Sequence, residues 1–363
     1  AAGSALVLRM VSMSAPELAR RVAEEPGALP ALVAAVAVGG AAANDRSLQG
    51  TAGASVAVIA MITRAGQDLA LRVAAEVGAL PTLIATVAAG GAGATPKLQR
   101  AAATSAHTLR MVSVCTPDFT RRVAEEPGAL PALVAAVAAG CAAAAPNLQR
   151  RAGESAGMLV LITQAGPELT RRVADEPGAL PALVTAVAAG GAAAKPGLHV
   201  AAANSAVVLA IVSQSAPEYA WRVADEPGAL PALIAAVAAG GAAAEPELQV
   251  AAMNSSAALS LMTKAGPELA QRVAEEPRAL LTLVATVAAS GGDPAGGVDP
   301  GAASNSARAL ARIAQASPEL LWRVAEERGA LRALVAALAA GSAAAATYPS
   351  MLQVVIASAD ALE

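Results

Sequence analysis

The hydrophobic and polar positions of this chain follow three rhythms that recur in a fixed order. In the first, which opens at Pro117-Asp118-Phe119, charged residues surround Phe119 and Val123, one helical turn apart. Proline suits the first position of a helix, and an acid in the first turn is favoured by the helix dipole. Gly128 then punctuates the pattern. The second rhythm places Leu130, Leu133, Val134 and Val137 at i, i+3, i+4 and i+7, a one-sided apolar stripe. This helix is predicted to stop at Gly140, with a loop of small residues running to Pro146. The third helix is predicted to begin near Leu148 and run to about Thr163; one copy earlier its stripe is Leu98, Ala102, Ser105, Leu109 and Val112. Spacing close to the helical repeat and abundant alanine favour helix over strand throughout. The predicted class is all-α.

The three rhythms together form one repeating unit. Arg-Val-Ala begins at Arg21, Arg72, Arg122, Arg172, Arg222, Arg272 and Arg323, at spacings of 50 or 51 residues. Seventeen residues before each stands a serine: Ser4, Ser55, Ser105, Ser155, Ser205, Ser255 and Ser306. A period of this size indicates a solenoid or an array, and the strand alternation of a propeller is missing. Repeats are placed at approximately 15–65, 66–115, 116–165, 166–215, 216–265 and 266–316, after a partial third helix at 1–14 and before an incomplete last repeat at 317–363. Residues 290–301, a Gly/Pro-rich stretch, are read as a loop and a candidate hinge. Because a third helix is expected to begin at Met351 with no successor, the chain reads as a fragment or processed product.

The run Ala129–Val134 (Ala-Leu-Pro-Ala-Leu-Val), after an acidic helix and a glycine, resembles the armadillo repeat, and so does the third-helix ending Leu209–Ser213. The resemblance covers essentially the whole chain. It implies a right-handed armadillo-type α-solenoid of about seven three-helix repeats of about 50 residues, with HEAT-like repeats the near alternative. The unit is longer than the family's usual one by about eight residues, and the bulky aromatic commonly found on the third helix is missing. The resemblance further implies a non-catalytic protein–protein interaction scaffold using a concave third-helix surface within a cytoskeletal or ciliary assembly. Its alternatives are a peptide-binding adaptor of the nuclear-transport or signalling type, and a self-stacking filament element. The expected location is intracellular, cytoplasmic or cytoskeletal.

Composition narrows the function classes. With 56% apolar residues and a net charge of −3, the chain can bury a core. An acidic pI near 5.6 and 1% aromatic residues argue against nucleic-acid binding. Mean hydropathy of +0.53 raises the question of a membrane. Pro127–Gln149 is uncharged and long enough to span one, but Gly128, Pro131, Gly140 and Pro146 break it, so no membrane span is expected. Cys115 and Cys141 are too few for a disulfide scaffold. His107 and His199 have no cysteine at ligand spacing, and the serine column has no paired histidine for a triad. The serines read as small side chains at close helix approaches, each hydroxyl bonded back to the preceding turn. No catalytic, metal or cofactor-binding residue is expected, and no enzyme activity.

Three further columns bear on recognition. Glu17, Arg21 and Glu25 stand at i, i+4 and i+8, as do Asp118, Arg122 and Glu126, and Glu218, Arg222 and Glu226; this trio recurs in every copy and reads as an intrahelical charge ladder. The position before the serine varies instead, through Thr104, Glu154, Asn204, Asn254 and Asn305. In armadillo proteins an asparagine from successive repeats grips an extended peptide, so the resemblance makes Asn204, Asn254 and Asn305 a candidate ladder. Arg100, Arg150 and Arg151 near the starts of two third helices, with Arg110, form a candidate positive patch suited to an acidic partner. Expected partners are other proteins, as a peptide or helical segment in the groove or as neighbouring subunits, with end-to-end self-association as a further mode.

Overall fold

The computed structural model describes residues 2–42, 45–192, 196–242, 245–290 and 299–344. Most of the expected hinge at 290–301, and the third helix expected from Met351, lie outside the described residues. The chain divides into two compact units, Ala1–Ala182 and Leu183–Glu363. The first holds α1 (Ala2–Ser14), α2 (Pro16–Glu24), α3 (Ala28–Ala41), α4 (Arg46–Ala65), α5 (Gln67–Ala75), α6 (Ala79–Ala89), α7 (Pro96–Cys115), α8 (Pro117–Glu125), α9 (Ala129–Ala142), α10 (Pro146–Gln164) and α11 (Pro167–Asp175). The division falls within α12 (Ala179–Ala192). The second unit continues with α13 (Pro196–Ser215), α14 (Pro217–Asp225), α15 (Ala229–Ala242), α16 (Pro246–Ala265), α17 (Pro267–Glu275), α18 (Ala279–Ser290), α19 (Pro300–Ala316), α20 (Pro318–Glu326) and α21 (Ala330–Ala344). The described residues are all-helical, and helices pack in sequence. In the first unit α1, α4, α7 and α10 stack in order beside α3, α6 and α9; in the second α13, α16 and α19 stack beside α15, α18 and α21.

Local chemistry explains the regularity. The first helix α2 is followed by Glu25 and a tight turn, in which Ala28 N–H donates to the Glu25 carbonyl at 3.1 Å and Gly27 holds φ 77° and ψ −1°. With Pro26 ahead of that glycine, this is a type II turn, which needs a left-handed residue in its third position. The turn swings the second helix through nearly a right angle, 93° between α2 and α3 and 89° between α8 and α9. Arg278 holds the left-handed position where the other turns have glycine.

The predicted stripe of the second helix is found buried at Leu130, Leu133, Val134 and Val137. Its predicted end is corrected, because α9 runs through Gly140 to Ala142. Gly140 serves packing instead: a Cβ there would stand 2.4 Å from the Cβ of Ala152 and 2.5 Å from the Leu148 carbonyl oxygen. Gly39 meets Ala52, Gly90 meets Ala102 and Gly240 meets Ala252 in the same way. The second and third helices therefore approach almost backbone to backbone, which is what the small-residue composition serves. The third helix opens at Pro146, ahead of the predicted start near Leu148. Its predicted stripe in α7 is buried at all of Leu98, Ala102, Ser105, Leu109 and Val112.

The charge ladder is also corrected. The third member of each trio, such as Glu25, Glu126 or Glu226, is the extended residue just past the helix, so the trio cannot span three turns of one face. Arg122 reaches instead to the Ala74 carbonyl at the end of α5, at 2.9 Å, and Arg323 to the Ala274 carbonyl of α17 at 3.0 Å. Arg272 takes both the Ala224 carbonyl and Asp225 of α14. A cation on free carbonyls at a helix C-terminus is electrostatically favoured. The arginine column thus ties each of these first helices to its predecessor. Glu17, Asp118 and Glu218 occupy first turns, exposed to solvent. Arg21, also exposed, makes no ion pair with Glu17 or Glu25.

By length and composition, one helix among the described residues is long and apolar enough to cross a membrane, Gly197–Ser215 within α13; 67% of that window is buried in the fold.

Candidate functional site

The third helices of the first unit enclose a recess of about 360 Å³. Its floor is α4, where Gly50, Gly53, Ala54, Ala57 and Ala60 follow one another at helical spacing and leave the face almost without side chains. Cations stand around this floor. Arg9 comes from α1, Arg64 from α4, Lys97 and Arg100 from α7, and Arg150 from α10. Among the described residues, no carboxylate lines the recess. Arg9, Arg64, Arg100 and Arg150 have no hydrogen-bond or ion-pair partner among the described residues, whereas Lys97 Nζ donates to the Arg46 carbonyl at 3.4 Å.

The residues of the predicted site resolve differently. Arg100 and Arg150 line the recess. Thr104 also lines it, with its hydroxyl donating to the Arg100 carbonyl of its own helix at 3.0 Å. Arg151 is not part of the patch. It is 2% exposed, and its Nη1 donates to the Val87 carbonyl near the end of α6 at 3.1 Å, while Nε has no partner among the described residues. Burial without a carboxylate pushes this guanidinium down to about 10. Arg110 is neutralised: its Nε donates to Glu154 at 2.7 Å, and His107 Nδ1 meets the other oxygen at 3.0 Å. Burial pushes the Glu154 carboxyl up, but the hydrogen bonds from His107 and Arg110 outweigh it and hold the group below its ordinary value. Glu154 is therefore committed within the fold.

In the second unit Asn204, Asn254 and Asn305 lie half-buried on α13, α16 and α19. The Asn254 amide donates to the Val250 carbonyl one turn back, at 2.8 Å, and the Asn305 amide to the Met253 carbonyl of the neighbouring helix, at 3.3 Å. These two donors are spent on helix backbone, so a peptide would meet them only after they turn. Val200 and Val250 are exposed in the column that holds Arg100 and Arg150 in the first unit.

Sequence reasoning missed Arg9, Arg64 and Lys97. Counted from the serine of each third helix, they stand at +5, +9 and −8. Those positions share a helix face with the −5 position of Arg100 and the −1 position of Thr104, and that shared face was the available signal. The serine column itself is corrected. Ser55, Ser105, Ser155, Ser205, Ser255 and Ser306 are fully buried, and their hydroxyls have no partner among the described residues. The glutamine that precedes each third-helix face has a structural role, since Gln49, Gln99 and Gln149 donate to the carbonyls of Ala42, Ala94 and Ala143 and so close the small-residue loop. His199 stands in that column and meets Glu245 at 2.7 Å. Among the described residues no three His, Cys, Asp or Glu side chains group as a metal site. Cys115 and Cys141 are free thiols, and burial pushes Cys141 up to about 11.

No family model matches the chain, and no curated protein does. Its fold is similar to that of an engineered protein whose crystal structure was solved by the Northeast Structural Genomics Consortium. That similarity has a TM-score of 0.55 and 22% sequence identity, over 78% of this chain and 96% of the other. At this identity the likeness supports the fold alone.

Proposed function

We propose that the chain is a right-handed armadillo-type α-solenoid of seven three-helix repeats that acts as a non-catalytic protein-interaction scaffold, with its third helices as the contact surface. It works inside the cell, in the cytoplasm or as part of a cytoskeletal assembly. The observation that carries this reading is the division of labour among helices in the first unit. The first helix α8 spends Arg122 on capping its predecessor α5, the second helix α9 is apolar, and third helices keep polar groups that the fold does not use. Surface groups without an internal role mark the face available to a partner. A photo-crosslinking amino acid at position 104 or 254 should capture specific proteins in native extract, and the same group at position 121 on α8 should not. Equal capture from all three positions would remove the third-helix face as the contact surface.

A second reading, self-association, is favoured by α1. Val7 is 59% exposed although Val58 and Thr108, in the same column of α4 and α7, are fully buried; Leu6, Met10 and Met13 are exposed beside it. Sedimentation should then show mass rising with concentration and falling for Val7→Glu. A constant monomer mass counts against it.

A further inference from the structure

Positive charge in the first unit is gathered on one set of helices. α1, α4, α7 and α10 carry eight Lys and Arg residues (one, two, three and two) and a single carboxylate, Glu154, in a chain whose net charge is −3. That carboxylate is already held by His107 and Arg110. The repeat itself does not call for these cations. In the second unit the columns of Lys97 and Arg100 hold Gly197 and Glu247, and Val200 and Val250, on helices of the same kind. Arg9, Arg64, Arg100 and Arg150 have no partner among the described residues, and like charges around one recess repel one another. The cluster works against the fold.

The floor of the recess adds a second, independent observation. Gly50 and Gly53 sit inside α4, where glycine is less stable than alanine. Packing does not require either. A Cβ on Gly53 would meet only the Lys97 carbonyl oxygen at 3.9 Å, and one on Gly50 only the Lys97 side chain at 3.6 Å and beyond. Gly39 and Gly140, by contrast, leave no room for a Cβ. Two helix-weakening residues that the fold does not need lie under a ring of cations that it does not use.

We infer that this recess is a binding site for a compact polyphosphate, a small molecule with three or more phosphate groups, either free or as the headgroup of a lipid. This goes beyond the scaffold reading and does not depend on it. Charge density decides the class. Arg9, Arg64, Lys97, Arg100 and Arg150 share a recess of about 360 Å³, within the range of about 300–1,000 Å³ for small-molecule pockets. A phosphate monoester carries about −1.5 to −2 at pH 7, so three of them balance these cations within that volume. Protein carboxylates bring one charge each, and five acids along an extended chain span about 16 Å, more than such a recess holds. The planar fork of arginine donates two parallel hydrogen bonds to a phosphate. The glycine and alanine floor lets the ligand approach the backbone of α4. Among the described residues no Phe, Tyr or Trp lines the recess for a nucleobase to stack on.

The test is isothermal titration calorimetry on the full chain, with inositol hexakisphosphate and inorganic tripolyphosphate as probes and orthophosphate and hexaglutamate as comparisons. Each polyphosphate is expected to bind once per chain, at least about tenfold more tightly than either comparison, and more weakly as salt rises. Arg100→Gln and Arg150→Gln should each weaken inositol hexakisphosphate about fivefold or more without lowering the melting temperature of the free chain, because they relieve repulsion. Arg121→Gln on α8 should leave affinity unchanged. Gly53→Leu should fill the floor and cut affinity about tenfold, again with no loss of melting temperature. Vesicle flotation separates the two sources. Flotation with phosphatidylinositol bisphosphate vesicles that inositol hexakisphosphate reverses supports the site with a lipid headgroup as ligand; binding in solution without flotation supports it with a free one. Comparisons that bind as tightly as the polyphosphates, full binding by Gly53→Leu or by both arginine variants, or equal flotation with phosphatidylserine vesicles would each overturn the inference.

Discussion

Ser105 shows how a single atom group can work against the fold that holds it. Its side chain is fully inside the third-helix packing and its hydroxyl has no partner among the described residues. A buried, unpaired hydroxyl costs about 1–3 kcal/mol, and removing it leaves only a small void. Ser105→Ala should therefore raise stability in urea denaturation by about 1 kcal/mol; a loss of that size would mean that the hydroxyl does have a partner. Arg151 poses the same question with a charge. Its folded-state value of about 10 lies below the ordinary arginine range, so the native state disfavours the charged form. The unfolded chain then binds the proton more tightly, and stability rises as pH climbs through about 10 and above. Arg151→Met removes the buried cation at the expense of the bond to Val87 and is expected to stabilise the protein at pH 8 by about 1 kcal/mol. That advantage should shrink when wild type and variant are compared at about pH 11, inside this window. An advantage that persists unchanged would rule out the charge as its source.

At the scale of the element, the turn between first and second helices is the most exacting piece of local geometry. Arg278 adopts φ 67°, and a side chain in the left-handed region is strained by roughly 1 kcal/mol relative to glycine. Arg278→Gly should raise the melting temperature, whereas Gly128→Arg at the matching turn should lower it; equal melting temperatures would show that the turn tolerates either residue. The helices themselves were legible in the sequence because their apolar spacing is local and repeats. Pro117 opens α8, Gly128 breaks the chain, and the stripe from Leu130 to Val137 is buried as its spacing requires. Two readings failed where the deciding partner lies on another helix. Gly140 looks like a stop, yet the helix continues because Ala152, on the next helix, needs the space that its missing side chain leaves. Arg122 looks paired with Asp118 and Glu126, yet its guanidinium donates to the free carbonyl of Ala74, 48 residues earlier. The candidate site was legible only in part for the same reason. Arg100 and Arg150 share a column, whereas Arg9, Arg64 and Lys97 stand at other positions of the repeat, and the register between neighbouring helices brings them to the same recess.

Within each compact unit, packing in sequence means that each set of helices draws its stability from the sets that neighbour it. A chain built in this way behaves as a one-dimensional array of intrinsic and nearest-neighbour terms, and damage to one place need not unfold the rest. Gly140 offers a sharp way to test this, because the lesion is defined. In an isolated helix Gly140→Ala would be favourable by up to about 1 kcal/mol. Here the new methyl would meet Ala152 and the Leu148 carbonyl at distances no real contact shows, so α9 and α10 must move apart. Overpacking of this kind costs about 1–3 kcal/mol. Hydrogen exchange should therefore speed up in α9 and α10 first, and less in α6 and α7, which pack against them. Amides of α1 and α2 should keep wild-type protection. Uniform acceleration across the first unit would show that it unfolds as one cooperative body, and the picture of an array would then fail at that scale.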